Sequence, residues 1–253
     1  MVILLSKIRG LPFFLIILAV VGCQKQAYEP PNNKINYINK IDTLGAIKYI
    51  ALTFDDGPDS IYTPLILDIL KQKEVVATFF LIGDRMERYP GVAKRIFAEG
   101  HCLANHTSDH LRLPGKKFIT IIKNIMRTEK ILAKVCGTSN KLFRPPFGLI
   151  THEQLSRLTD LGYKVILWNL DSKDYVQETS VDNIINNIVS GAGNDKVVLF
   201  HSGDFTGKKN RLKTVLALPD IIDNLKKRNY FFVKITSISD FAASGYINVQ
   251  NTE

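Results

Sequence analysis

The chain is poor in cysteine, with three residues, Cys23, Cys102 and Cys136, among 253. That is too few for a disulfide framework, so folding rests on a hydrophobic core, which a chain of this length can fill. No apolar run reaches the roughly 20 residues that a membrane-spanning helix needs. No internal repeat occurs, and nothing marks off a second domain. Basic residues do not form a stripe interleaved with aromatics, which argues against nucleic acid as a partner. With 45% hydrophobic and 23% charged residues, the composition excludes a collagen, a coiled coil or wholesale disorder.

Acids are missing from the N-terminal stretch as well, where none precedes Glu29. There Lys7 and Arg9 are followed by LPFFLIILAVV, a positive segment before an apolar one, which reads as a signal peptide over residues 1–22. The run closes in VVGC. Small residues before Cys23 resemble a bacterial lipobox, which implies cleavage before Cys23 and lipidation of it; a plain signal peptide or an uncleaved anchor is the other reading. Residues 23–46 are polar, hold a Pro pair and read as a tether. A domain over 47–244 and a tail over 245–253 complete the expected organisation. The expected location is a membrane-anchored lipoprotein facing the periplasm or cell exterior, held through the lipid on Cys23. The 33 basic and 24 acidic side chains give +9, and loss of Lys7 and Arg9 leaves +7. Such a balance suits an anionic lipid or wall polymer, or equally a Lys-rich soluble surface.

Within the domain, apolar strands alternate with amphipathic helices. IKYIALTF, VVATFFLI, HCLANH, KLFRP, KVILWNL, KVVLFHS and YFFVKIT read as strands, and helical stretches follow them, the last being the short SISDFAAS. Seven β-then-α units predict a parallel sheet with right-handed crossovers, and their number favours a barrel over an open sheet. The polar residues cluster after the strands: Asp55 and Asp56, His106, Arg144, Asp171 and Asp174, then His201. In βα folds the carboxyl ends of parallel strands share one face, so these segments should converge.

Three groupings carry chemistry. HTSDH puts His106 and His110 four apart, which on a helical turn lie on one face. Alone the pair says little, but a carboxylate from DDGPD completes a set that suits a divalent metal and leaves room for water. One of the adjacent aspartates can then be a ligand and the other a proton acceptor. In RPPF, Arg144 can hold the free aspartate ionised, and the prolines can fix the direction of the Phe147 N–H towards an oxyanion. A carboxylate near His201 would favour its protonated form, a general acid. Trp168, Tyr175 and Leu199 are candidates for an acyl pocket, with core packing the simpler reading for Trp168. His101 and His152 read as surface or helix residues.

TFDDGPD, HTSDH, RPPF, DSKDY and LFH occur in the order of the five motifs of polysaccharide deacetylases, and the chain resembles that family, the NodB homology domain of carbohydrate esterase family 4, from about Ile47 to Ser244. The resemblance implies a distorted (β/α)7 barrel that hydrolyses N-acetyl, sometimes O-acetyl, groups on acetylated polysaccharide. It implies one divalent metal ion, foremost Zn²⁺, with Co²⁺, Ni²⁺ or Mn²⁺ as alternatives. By position it implies Asp55 as base, Asp56, His106 and His110 as metal ligands, and Arg144 as the group orienting the base. It further implies Phe147 as oxyanion donor, Asp174 as partner of the acid His201, and Leu199 and Tyr175 at the acetyl pocket and substrate groove. Phe147 stands where Tyr is usual, Tyr175 where Trp is usual, and Ser202 where Asp is frequent. The barrel puts Cys102 and Cys136 at the end opposite the site, free or joined in a disulfide. An inactive glycan-binding module of this fold remains an alternative. A non-haem iron oxygenase also fits two histidines and a carboxylate, but has no use for Arg144 or for the Asp174–His201 pair.

Overall fold

A computed structural model of the chain describes residues 48–236. Cys23, the tether, the SISDFAAS segment and the tail lie outside the described residues.

Strand β1, Lys48–Asp55, is buried from Ile50 onwards. Ile50, Leu52 and Phe54 join one apolar cluster with residues of the surrounding helices, while Ala51 belongs to a second cluster inside the curled sheet. A strand covered on both faces belongs in a parallel sheet. Seven further strands follow: β2 Thr78–Leu81, β3 Cys102–Asn105, β4 Leu142–Phe143, β5 Lys164–Val165, β6 Leu170–Asp171, β7 Lys196–His201 and β8 Tyr230–Phe232. Every pairing is parallel, in the order β5-β4-β3-β2-β1-β7-β6. Ile50 pairs with Lys196 of β7 and with Phe232 of β8, so β8 takes the start of the edge that β2 occupies from Thr53 onwards. The result is a curled parallel half-barrel, the expected distorted (β/α)7 form.

Helices α1 Tyr62–Gln72, α3 Pro90–Ala98, α4 Phe118–Cys136, α5 His152–Asp160, α6 Val181–Gly191 and α7 Leu212–Lys227 match the predicted amphipathic stretches. Thr151 caps α5 in a full capping box with Gln154, and Gly137 ends α4 at φ 67. The short α2, Gly83–Arg88, was not expected.

The predicted single strand KVILWNL is corrected. It splits into β5 and β6, and among the described residues these two strands do not pair. The cause is Arg144, whose side chain is 0% exposed. A buried guanidinium must have acceptors. Its Nε donates to Ile166 O at 3.0 Å and Nη2 to Leu167 O at 2.9 Å, taking two carbonyls that a continuous ladder would use. Beyond the break, Asn169 Oδ1 accepts from Val197 N at 2.8 Å and so stands in for a ladder carbonyl. Small Ala51 and Ala104 lie in the inner cluster, and the guanidinium stacks over Phe80, its carbon 4.0 Å from the ring centroid.

At the opposite end of the strands, Cys102 and Cys136 are free thiols. His152 is exposed at the start of α5. His101 is not a surface residue: it is 5% exposed, accepts from Ala77 N at 3.1 Å through Nδ1, and packs edge-on against Phe79.

Candidate active site

The chain turns sharply where β1 ends. Asp56 has φ 67, a left-handed backbone that side chains other than glycine seldom adopt. The turn parts the two neighbouring carboxylates. Asp55 Oδ1 accepts from Arg144 Nη1 at 2.8 Å, and the same nitrogen donates to Thr53 Oγ1 at 2.8 Å. Asp56 instead faces the histidines, with Oδ1 3.2 Å from His110 Nε2 and 3.5 Å from His106 Nε2. Behind the turn, Ser202 N donates to Asp55 O at 2.9 Å, and a Cβ added to Gly57 would lie 2.4 Å from Ser202 Oγ. The small residue at 202 thus belongs to the back wall of the turn.

HTSDH does not form the expected helical turn. His106 leaves β3, and Thr107 and His110 both have positive φ, 65 and 60. The backbone groups of this loop find partners outside it. Thr107 N donates to Asn105 Oδ1 and Ser108 N to Asn124 Oδ1, while Thr107 O and Ser108 O accept from Gly83 N and Asp84 N. The unforeseen α2 therefore supports the loop with its N-terminal amides. Looped rather than helical, the chain still brings the two rings together, with centroids 5.1 Å apart.

Do these residues fit a cation? Arg144 O is an acceptor, so His106 Nδ1, 2.8 Å away, must donate, and the neutral ring then has its lone pair on Nε2. Among the described residues, Asp56 Oδ1 is buried without a hydrogen-bond partner despite its closeness to both rings. One ligand atom from each of Asp56, His106 and His110 lies within 4.8 Å of the others. Tetrahedral sites with ligand bonds of about 2.0–2.2 Å space their donors roughly 3.3–3.5 Å apart, and the two Asp56 contacts fall close to this. Burial opposes charge on Asp56, but the surrounding imidazoles of His106, His110 and His201, when they carry protons, outweigh it and hold the carboxyl well below its usual range. An ionised carboxylate and two imidazoles are a donor set for one divalent cation.

Across the cavity, His201 ends β7. Its Nδ1 lies 2.7 Å from Asp174 Oδ1, and its backbone N donates to Asp174 Oδ2 at 2.8 Å. Thr214 Oγ1 also donates to Oδ2, at 2.7 Å. Burial disfavours both charges, yet Asp174 raises His201 above its ordinary value, and His201 lowers Asp174 in return. Asp171, the other candidate carboxylate, accepts from Tyr175 Oη at 3.1 Å and pairs with Lys173.

A cavity of about 420 Å³ joins these groups. Asp55, Asp56, His106, His110, Phe147, Tyr175, Leu199 and His201 line it, together with Trp168. Arg144 and Asp174 stand behind that lining and hold Asp55 and His201. Phe147 has φ 63 and sets its ring against His110, centroids 4.6 Å apart. Tyr175 packs on His201 at 5.3 Å.

Sequence reasoning missed a further part of the lining: Asp204, Phe205, Lys209 and Arg211. Phe205 stacks on His110, centroids 4.2 Å apart and planes 14° from parallel. Asp204 is buried and accepts from Thr206 Oγ1 and from the backbone N of Lys208 and Lys209. Arg211 Nε donates to Gly203 O at 2.6 Å, and Arg85 Nη1 to Asp204 O at 2.7 Å. The available signal was SGDFTGKKN, where an aspartate precedes amides it can cap.

Comparison with known proteins accords with this geometry. A family model for polysaccharide deacetylase matches residues 45–166. The chain is 40% identical over 189 residues to a peptidoglycan-N-acetylglucosamine deacetylase of Bacillus cereus, covering 75% of this chain and 67% of that one. A solved peptidoglycan N-acetylglucosamine deacetylase in complex with 4-naphthalen-1-yl-N-oxidanyl-benzamide superposes with TM-score 0.71 at 38% identity, over 77% of this chain and 88% of that one. A family 4 acetyl xylan esterase from Clostridium thermocellum, in complex with a cobalt ion, gives TM-score 0.69 at 30% identity, over 75% and 89% of the two chains.

Proposed function

The chain belongs to the polysaccharide deacetylase family, and from that premise we propose that it hydrolyses N-acetyl groups of a peptidoglycan-type glycan, using one divalent cation, foremost Zn²⁺, held by Asp56, His106 and His110. The observation that carries the reading is the cavity in which Asp55 and His201 stand around the Asp56–His106–His110 cluster.

A cation in that cluster supplies Lewis acidity towards the acetyl carbonyl and acidifies water. Asp55, fixed through Oδ1 by Arg144, accepts the proton of the attacking water while the water oxygen bonds to the acetyl carbon. The Phe147 N–H donates to the oxygen that gains negative charge. His201, kept protonated by Asp174, gives its proton to the sugar nitrogen as the carbon–nitrogen bond breaks. Acetate and the free amine leave. Leu199 and Trp168 form an apolar wall suited to the acetyl methyl group. Lipid on Cys23 would keep the enzyme at the membrane, beside the wall glycan.

The test is acetate release from acetylated glycans, with chelator and after metal is returned. Asp55→Asn should lower turnover by about 10²–10⁴-fold while metal content stays at the wild-type level. Near-normal turnover in that variant, or chelator-resistant release, would overturn the reading. Likeness to an acetyl xylan esterase favours O-deacetylation as a second reading. An alkoxide leaves more readily than an amine anion, so His201→Gln should impair O-deacetylation less than N-deacetylation.

A further inference from the structure

A second cavity, of about 290 Å³, adjoins the first and shares Tyr175, Lys209 and Arg211 with it. Of the five motifs only DSKDY reaches this space, through Asp174 and Tyr175. Its other charged lining is Asp174, Lys208 and Lys213. Three of these five groups are already engaged. Asp174 is taken up by His201 and Thr214, Arg211 by Gly203 O and Asp204, and Lys213 Nζ by the carbonyls of Gln177 and Thr179. Lys208 and Lys209 differ. Asp204 pins their backbone amides, so the loop holds its position, while both side chains are exposed and neither makes an ion pair among the described residues. Two unpaired ammonium groups on adjacent residues of a concave wall create a positive potential directed at whatever fills the space.

We propose that this cavity is an anion subsite, where Lys208 and Lys209 receive a carboxylate carried by a sugar next to the one whose acetyl group enters the main cavity. The proposal rests on the glycan reading above and narrows it to acidic N-acetylated glycans over neutral ones. Ammonium groups on flexible stems suit a carboxylate that presents charge without a fixed plane. Lys209, which lines both cavities, marks the path of the glycan from one to the other.

The test uses the metal-loaded full chain and a matched pair of N-acetylated oligosaccharides, one with free carboxylates on alternate sugars and one with those carboxylates amidated. Wild-type protein should show the lower KM for the acidic member, with an advantage that shrinks as salt rises. In the double variant Lys208→Gln/Lys209→Gln, the acidic-to-amidated KM ratio should rise roughly fivefold. Lys123→Gln, on exposed α4 surface, should leave that ratio at its wild-type value. Equal KM values for the pair in the wild type, or an equal shift for both in the double variant, would overturn the proposal. Equilibrium binding of the same pair reads the subsite without turnover. If no acetate is released but binding still favours the acidic member through these lysines, the subsite stands and the hydrolytic reading falls.

Discussion

His101 and His201 lie at opposite ends of the same parallel strands, one just before β3 and the other at the end of β7. Burial pushes both imidazoles towards the neutral form. At His101 nothing outweighs it: Nδ1 accepts from Ala77 N, and the pKa falls to about 4. At His201 a carboxylate 2.7 Å away reverses the balance, and the pKa rises. An enclosed histidine is therefore not a functional signal by itself. One partner, amide or carboxylate, decides whether the ring is a neutral acceptor within the fold or a proton donor to the cavity.

The sharpest way to break that contrast is to remove each ring. His201→Gln should reduce N-deacetylation by about 10²–10⁴-fold per folded molecule. His101→Leu should spare activity and cost stability. It leaves a buried amide without an acceptor, which costs about 1–3 kcal/mol, while kcat of the folded fraction stays the same. Acetate release and thermal melts on both variants check this. Comparable activity losses in the two would erase the distinction between the ends.

Arg144 extends the comparison into the barrel interior. It joins β4 to the carbonyls of the β5–β6 break and to Asp55. Arg144→Met removes the guanidinium hydrogen-bonded to Asp55 and frees two carbonyls, so denaturant unfolding should show a loss of about 3–5 kcal/mol. A loss below about 1 kcal/mol would show that the break in the strand has another cause.

Asp174→Asn sharpens the contrast by making His201 resemble His101. With that carboxylate gone, burial is opposed only by the weaker pull of Asp56, and the His201 pKa drops. In the proposed mechanism turnover needs the protonated ring, so it should fall as pH rises through that pKa. The alkaline limb of kcat/KM should therefore move to lower pH. An unmoved limb would mean that His201 is not the titrating acid.

The alternation of strands and helices could be read from the sequence because it rests on local periodicity, and the convergence of Asp55, Asp56, His106, His110 and His201 follows from parallel topology. What could not be read depends on partners distant in the chain. Nothing within KVILWNL announces that Arg144 will take two of its carbonyls. Nothing within HTSDH reveals that Asn124 will accept from one of its amides, and α2 donate to two of its carbonyls, in a non-helical loop. His101 looked like a surface residue because its acceptor role exists only once Ala77 lies beside it. The Asp204 loop escaped notice for a similar reason, since its Phe205 matters only through its stacking on His110.

The two imidazoles should also mark stability with opposite pH signs. The His201 pKa is raised on folding, so its contribution is complete below about 6.5 and is lost as pH climbs through the folded value. The His101 pKa is depressed to about 4, so its contribution is present above about 6.5 and is lost as pH falls towards that value. Between pH 7 and 5 this should cost the wild type on the order of 1–2 kcal/mol that His101→Gln does not lose. Carboxylates titrate in both proteins, so the difference between their stability–pH curves isolates the ring. Parallel curves would mean that His101 protonates as readily when folded as when unfolded, and burial could no longer be the force separating the two ends.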